Sequence, residues 1–79
     1  MTVTVLYFAR MAEFAGCASE VVESVPATAS ALFDLVGDRH RFGFVRESLR
    51  VAIGDRLVSW DTVLRDGDEV AFIPPVSGG

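Results

Sequence analysis

Lysine is absent from this chain, and all seven basic residues are arginines. Because an isopeptide bond needs a lysine amine, the protein cannot build lysine-linked chains of itself. Its single cysteine, Cys17, excludes an internal disulfide and a cysteine metal cluster. One histidine, His40, cannot build a metal site by itself, so we expect no bound metal.

Long apolar runs and a basic leader are also missing. No run is long enough to cross a membrane, and residues 2–8 alternate in polarity without the basic start of a signal peptide. We therefore expect no membrane partner and a cytoplasmic location. Cys17 lies far in sequence from the only histidine, so we interpret it as a structural cysteine rather than a nucleophile.

Acidic residues outnumber basic ones, and the net charge of −4 argues against nucleic-acid binding. The charge is unevenly distributed along the chain. Residues 39–50 hold four arginines and one glutamate, +3, whereas the rest of the chain holds three arginines and ten acids, −7. We interpret the basic segment as a solvated surface. No glycine-rich phosphate loop occurs, so any ATP must be bound by a partner rather than by this chain.

The 79 residues, 51% hydrophobic, predict one folded domain. Patterns rich in β-branched and aromatic residues predict strands at residues 2–8, 19–25, 50–53, 57–60 and 69–73. A short helix is predicted at residues 9–15, and Gly16 is placed to end it. A chain of this order with one crossover helix is typical of an α+β protein whose sheet is covered on one face.

The main helix is predicted from an apolar stripe at i, i+3, i+4 and i+7, formed by Ala29, Leu32, Phe33 and Val36. Thr28 or Ser30 can cap its start. It ends at Gly37 or runs on towards His40. Residues 38–49 are predicted to be a basic loop. A short helical turn is predicted at residues 62–64 with Asp61 as its cap.

The last six residues differ in character from the rest of the chain. Pro74 and Pro75 should end the final strand, because proline lacks a backbone N–H and fixes φ. The folded domain is therefore expected to cover residues 1–75, followed by a flexible Gly-Gly tail at 76–79. Lacking side chains at its two final residues, such a tail can enter a narrow channel. The tail comprises Val76, Ser77, Gly78 and Gly79.

The α-carboxylate of Gly79 is the one reactive group of this tail. It is ionised at neutral pH and is therefore a poor electrophile. To take part in acyl chemistry it must be activated from outside, most simply by adenylation with ATP. The sequence offers no machinery of its own for that step.

Three stretches carry a family resemblance: Val5-Leu6-Tyr7-Phe8-Ala9-Arg10, Asp66-Gly67-Asp68-Glu69-Val70, and Pro74-Pro75-Val76 followed by Gly78-Gly79. With them the chain resembles the small subunits of molybdopterin synthase, the ubiquitin-like sulfur carriers of molybdenum cofactor biosynthesis. The resemblance spans the chain and implies a β-grasp fold. Such a fold has a five-stranded mixed sheet whose first and last strands run parallel at its centre. An arginine is frequent in that family where this chain has Ala12.

The resemblance also implies a function. Gly79 would be adenylated by an E1-like adenylating enzyme with ATP and converted to a thiocarboxylate with sulfur from a sulfurtransferase persulfide. It would then donate sulfur to precursor Z (cyclic pyranopterin monophosphate), bound in the large subunit, to form the molybdopterin dithiolene. Two small and two large subunits would form a heterotetramer. The chain itself is expected to be a non-catalytic subunit that binds no cofactor.

A carrier that meets several enzymes needs an apolar docking face beside its tail. From the resemblance, the expected docking residues are Leu57 and Ile73 together with Pro74 and Pro75, and Phe72 is expected in the core. Strand alternation alone leaves open that all of these are core residues.

Other functions fit the same sequence. Sulfur carriers for thiamine or cysteine share the diglycine but generally lack the Pro-Pro-Val lead-in. A ubiquitin-like protein modifier would form isopeptide bonds through Gly79. A plain interaction domain would keep an unmodified tail.

Overall fold

The computed structural model describes residues 1–23, 27–41, 43 and 45–74. Within these residues, five β-strands and two α-helices follow one another with one short 3-10 helix. The elements are β1 (Thr2–Tyr7), α1 (Ala9–Ala15), β2 (Ser19–Glu23), α2 (Ala29–His40), the 3-10 helix Arg46–Ser48, β3 (Arg50–Ile53), β4 (Arg56–Val58) and β5 (Glu69–Ile73). The predicted domain boundary at residue 75 and the tail at 76–79 lie outside the described residues.

The described strands form one mixed sheet in the order β2-β1-β5-β3-β4. β1 and β5 run parallel, with Val5 opposite Val70 and Tyr7 opposite Phe72. The other neighbouring pairs are antiparallel. Because strands joined in parallel need a long crossover, the chain between β1 and β5 has room for α2. The first and last strands are therefore adjacent at the centre of the sheet, as the resemblance implies.

One face of the sheet is buried against α2. Strand alternation places Val3, Val5 and Tyr7 of β1 on this face, and their side chains are almost fully buried. Val70 and Phe72 of β5 lie beside them with no exposed surface. The helix contributes the predicted stripe, which is buried in the same cluster: Ala29, Leu32, Phe33 and Val36. The prediction of the core is confirmed in this region.

The structure settles both ends of α2. The Thr28 Oγ1 atom accepts a hydrogen bond from the Ala31 N–H at 3.2 Å, so Thr28 rather than Ser30 is the N-cap. The helix continues through Gly37 to His40. It ends where Arg41 adopts a left-handed conformation, φ 56°, and donates its N–H to the Gly37 carbonyl. Of the two predicted ends, the one towards His40 is confirmed, and the loop predicted from residue 38 begins only after this left-handed cap.

The predicted helical turn at residues 62–64 is wrong, because this segment pairs with the start of α2. The Thr62 carbonyl accepts from the Ala29 N–H, and the Trp60 carbonyl accepts from the Ser30 N–H, both at 3.0 Å. The first N–H groups of a helix have no partner within the helix. The segment therefore satisfies two of these donors and stays extended.

Two strands, β1 and β4, have boundaries that differ from those predicted. β1 ends at Tyr7, because the chain turns into α1 immediately after Phe8. β4 covers three residues that pair with β3, and the chain then turns so that Trp60 packs into the core. β2 is described as far as Glu23, and residues 24 and 25 of the predicted strand lie outside the described residues.

The predicted turn at residues 66–68 is confirmed, and it anchors the start of β1. The Asp66 Oδ1 atom accepts from the Thr2 N–H at 2.7 Å, and the Gly67 N–H donates to the Thr2 carbonyl at 2.7 Å. Gly67 has φ 88°, a conformation that glycine adopts without a Cβ clash. The turn therefore holds the beginning of β1 beside the beginning of β5.

Candidate functional site

The described residues include the root of the predicted tail. β5 ends at Ile73, and Pro74 follows it, half-buried and outside the sheet. This agrees with the expectation that proline stops the ladder. The remaining predicted site residues lie outside the described residues, so their roles stay predictions: Pro75, Val76, Ser77, Gly78 and Gly79.

The second face of the sheet, here called the open face, lies opposite the core and both helices. It is defined by side chains that alternate with the core residues along four strands: Leu6, Arg50, Ala52, Leu57, Ala71 and Ile73. Leu57 is 66% exposed. Ala52 and Ala71 are buried although they point outwards, because larger neighbours flank these small side chains. The open face is therefore a shallow apolar surface.

Both predicted docking residues within β4 and β5 lie on the open face. Leu57 lies opposite Ala52, and Ile73 lies opposite Arg50, one row further along the sheet. Leu57 and Ile73 lie two strand spacings apart across the sheet and one row apart along it, which gives a separation of roughly 12 Å. Phe72 points to the other side and is fully buried. The fold thus brings Leu57 and Ile73 to one surface beside the tail root, where docking remains a prediction.

Phe8 belongs to the same surface and was not identified from the sequence. Its backbone is extended, φ −123° and ψ 150°, so its side chain follows the alternation of β1 onto the side of Leu6. It is 46% exposed. Ala9 then turns the chain sharply with φ 51°, which is uncommon outside glycine. The apolar run Leu6-Tyr7-Phe8, which puts large side chains on both faces of the strand end, was the available signal.

An aromatic cluster lies under the tail root on the core side. The rings of Phe72 and Trp60 are stacked, with centroids 5.8 Å apart and planes 12° apart. Phe33 of α2 meets both rings edge-on, at 5.4 and 5.5 Å. These contacts hold the end of β5 to the helix. They fix the direction in which the chain leaves the sheet.

A polar cluster lies at the same end of β1. Glu20 of β2 accepts hydrogen bonds from the Tyr7 hydroxyl and from Arg39, and its Oε1 atom lies 2.5 Å from the His40 Nε2 atom. Burial raises the pKa of Glu20, but the bonds from Tyr7, His40 and Arg39 outweigh it and hold that pKa below its ordinary value of 4.5. Burial, and then the Glu20 carboxylate, raise the pKa of Tyr7. The cluster ties α2 to the sheet.

The other candidate residues are not assembled into a site. Cys17 is partly buried against the core, and its sulfur lies 3.8 Å from the Ala15 carbonyl oxygen, consistent with a structural cysteine. Across residues 1–23, 27–41, 43 and 45–74, no three histidine, cysteine or carboxylate side chains come together as metal ligands. No helix in that same part of the chain is long and apolar enough to cross a membrane.

The mixed sheet, the parallel pairing of its first and last strands and its single main crossover helix define a ubiquitin-like β-grasp protein. The Haloferax volcanii protein SAMP1 has the same fold: its crystal structure matches with a TM-score of 0.82, covers all of both chains and is 27% identical in sequence. Residues 5–79 match the ThiS family, and the chain belongs to that family.

Two relatives match this chain over nearly its whole length and nearly the whole of theirs. The chain is 39% identical over 80 residues to the molybdopterin synthase sulfur carrier subunit of Escherichia coli, covering 98% of this chain and 99% of the relative. It is 40% identical over 87 residues to the human protein of the same name, covering 98% and 93%. The similarity therefore extends over whole proteins rather than over a shared motif.

Proposed function

We propose that this chain is the sulfur carrier subunit of a molybdopterin synthase. The full-length similarity to two proteins of that name carries the proposal. The structure supports it with an apolar open face whose Ile73 directly precedes the tail root. A carrier needs both parts, because one surface must hold the partner while the tail reaches its active site.

In this function Gly79 supplies the reacting carboxylate. Its oxygen attacks ATP on the adenylating enzyme, which releases pyrophosphate and leaves an acyl adenylate. The outer sulfur of a persulfide then displaces AMP, and a thiol cleaves the remaining sulfur–sulfur bond to leave the thiocarboxylate. This nucleophilic sulfur is delivered to precursor Z in the large subunit, and hydrolysis restores the carboxylate.

The catalytic groups and the ATP site belong, in this proposal, to the partners. Three partners are required: the large subunit, the adenylating enzyme and the persulfide donor. The name of the Escherichia coli relative, a subunit of a synthase, supports the first. The other two follow from the chemistry, because a free carboxylate neither activates itself nor supplies sulfur.

Intact-mass spectrometry of the chain produced with an adenylating enzyme and a persulfide donor tests the proposal. We expect a fraction that is heavier by the difference between one sulfur and one oxygen atom, located on the C-terminal peptide. A variant that lacks Gly79 should show no such fraction. Added mass on Cys17 instead of the tail would overturn the assignment.

Protein modification is the second candidate, and the likeness to SAMP1, the small archaeal modifier protein 1, favours it. In that function the Gly79 adenylate would be attacked by lysine amines of other proteins. Conjugates that carry the C-terminal peptide on cellular lysines would support it. The sulfur-carrier function is supported if the thiocarboxylate form converts precursor Z together with the large subunit and no conjugates are found.

A further inference from the structure

A groove lies beside the tail root, where the open face meets the end of β5. Trp60, Ile73 and Pro74 form its apolar part, and Arg46 and Arg50 stand at its side. It is open to solvent rather than enclosed, so it does not have the form of a small-molecule pocket. Pro74, which follows the last residue of β5, belongs to its lining, so the groove lies at the tail root.

The two arginines of the groove share its lining with one acidic residue, Glu47, but neither forms an ion pair with it. Arg50 is exposed on the open face opposite Ile73. Arg46 is half-buried and donates a hydrogen bond to the Ser30 hydroxyl. Among the described residues neither guanidinium has a carboxylate within 4.0 Å, whereas Arg39 is paired with Glu20 at 3.1 Å. Two positive charges and one negative charge therefore line the groove, which leaves it positive in a chain whose net charge is −4.

A partner that encloses the tail must also cover this groove. Removing water from an unpaired guanidinium is costly, and an apolar or basic surface would leave that cost in place. A carboxylate on the partner at the matching position pairs with the guanidinium and so offsets the cost of removing its water. Its electrostatic attraction also accelerates association. The acidic net charge of the whole chain disfavours a nucleic acid as the occupant. The groove therefore fits a protein surface that is apolar at its centre and acidic at its edge.

We propose that Arg50, with Arg46 beside it, is a recognition residue that pairs with carboxylates at the mouth of the channel in the large subunit. This inference rests on the proposed function, which requires the large subunit to enclose the tail and so brings the mouth of its channel to the groove. It adds a charge-based specificity determinant to the apolar open face. The basic segment is then part of the interface rather than only a solvated surface.

Charge reversal at Arg50 provides the test, with Arg56→Glu as the matched control. Arg56 is also exposed, carries the same charge and lies on β4 with its side chain opposite in direction to that of Leu57. Affinity for the molybdopterin synthase large subunit from the same organism is measured at low and high ionic strength. We expect Arg50→Glu to weaken binding at least about tenfold at low ionic strength and Arg56→Glu less than about twofold. Arg46→Glu should act in the same direction as Arg50→Glu.

Each outcome decides the question. Equal effects of Arg50→Glu and Arg56→Glu would mean that only net charge matters, and the assignment would be lost. A loss for Arg50→Glu that high salt does not diminish, or that accompanies unfolding in a thermal melt, would also overturn it. If Leu57→Asp abolishes binding while Arg50→Glu binds like the wild type, the carrier function stands and the arginine pairing fails. If the wild type does not bind the large subunit, both fail together.

Discussion

Leu57 is a large aliphatic side chain that lies on the open face rather than in the core. It lies on a strand of three residues, and the side chain opposite it on the open face is that of Ala52, which is too small to cover it. It remains two-thirds exposed as a result. A large aliphatic group in that position adds little to the stability of the isolated domain, so the docking role proposed for it can be tested by substitution without unfolding the chain.

We predict that Leu57→Asp weakens binding of the large subunit by more than tenfold, about 1.4 kcal/mol or more. The reason is that the interface would bury an unpaired carboxylate. The free energy of unfolding should change by less than about 0.5 kcal/mol, because the side chain is already exposed. Isothermal titration calorimetry and urea unfolding measure the two quantities.

Val63→Asp is the matched control for that prediction. Val63 has the same fractional exposure, 66%, but lies in the segment that pairs with Thr28, away from the open face. It should leave binding within twofold of the wild type. Comparable losses for both variants would show that added negative charge, and not the open face, controls docking.

At the scale of elements, α2 depends on contacts at its first turn. Thr28 caps one N–H with its side chain, and the carbonyls of Trp60 and Thr62 accept from two more. Helix N–H groups left without partners lower stability, so both kinds of contact contribute. Since α2 covers the core face of the sheet, stabilising its first turn stabilises the fold.

Thr28→Ala is predicted to lower the free energy of unfolding by about 1 kcal/mol, because the side-chain acceptor for the Ala31 N–H is lost. Thr28→Ser keeps the hydroxyl and should retain most of that stability. Urea unfolding of the three proteins gives the comparison. If Thr28→Ser loses as much as Thr28→Ala, the cap contributes little and packing of the threonine methyl group explains the effect.

At the scale of the whole molecule, Glu20 connects three elements that are distant in sequence. It receives hydrogen bonds from Tyr7 on β1 and from Arg39 and His40 at the end of α2. Because its pKa is lower in the folded chain than in the unfolded chain, it stabilises the fold at any pH above the unfolded value, about 4.5. That contribution is lost as the pH falls through the lower, folded value.

The stability of the wild type should therefore exceed that of Glu20→Gln at pH 7, and the difference should shrink as the pH falls below about 4.5. Glutamine keeps a hydrogen-bond acceptor but removes the charge, so the comparison isolates the ionised carboxylate. Thermal unfolding across pH 3 to 7, about the titration range of a carboxyl group, measures it. A difference that is constant with pH would show that the charge of Glu20 does not contribute.

The sequence by itself determined the parts of this protein that depend on local pattern. The stripe of α2, the strand Arg50–Ile53 and the turn at Asp66 were predictable because periodicity and turn chemistry act over a few residues. Phe72 in the core and Leu57 outside were predictable only with the family resemblance. Alternation separates two strand faces but does not say which one is buried.

Only the tertiary structure decided the rest, because it depends on groups far apart in the chain. Residues 62–64 are extended since they pair with the start of α2, and the paired residues Val63 and Thr28 are 35 positions apart in the chain. Phe8 lies on the same open face as Ile73 because β1 lies beside β5. Arg50 comes to the tail root because β3 pairs with β5 so that it faces Ile73. Strand order brings these residues together, and no local pattern encodes it.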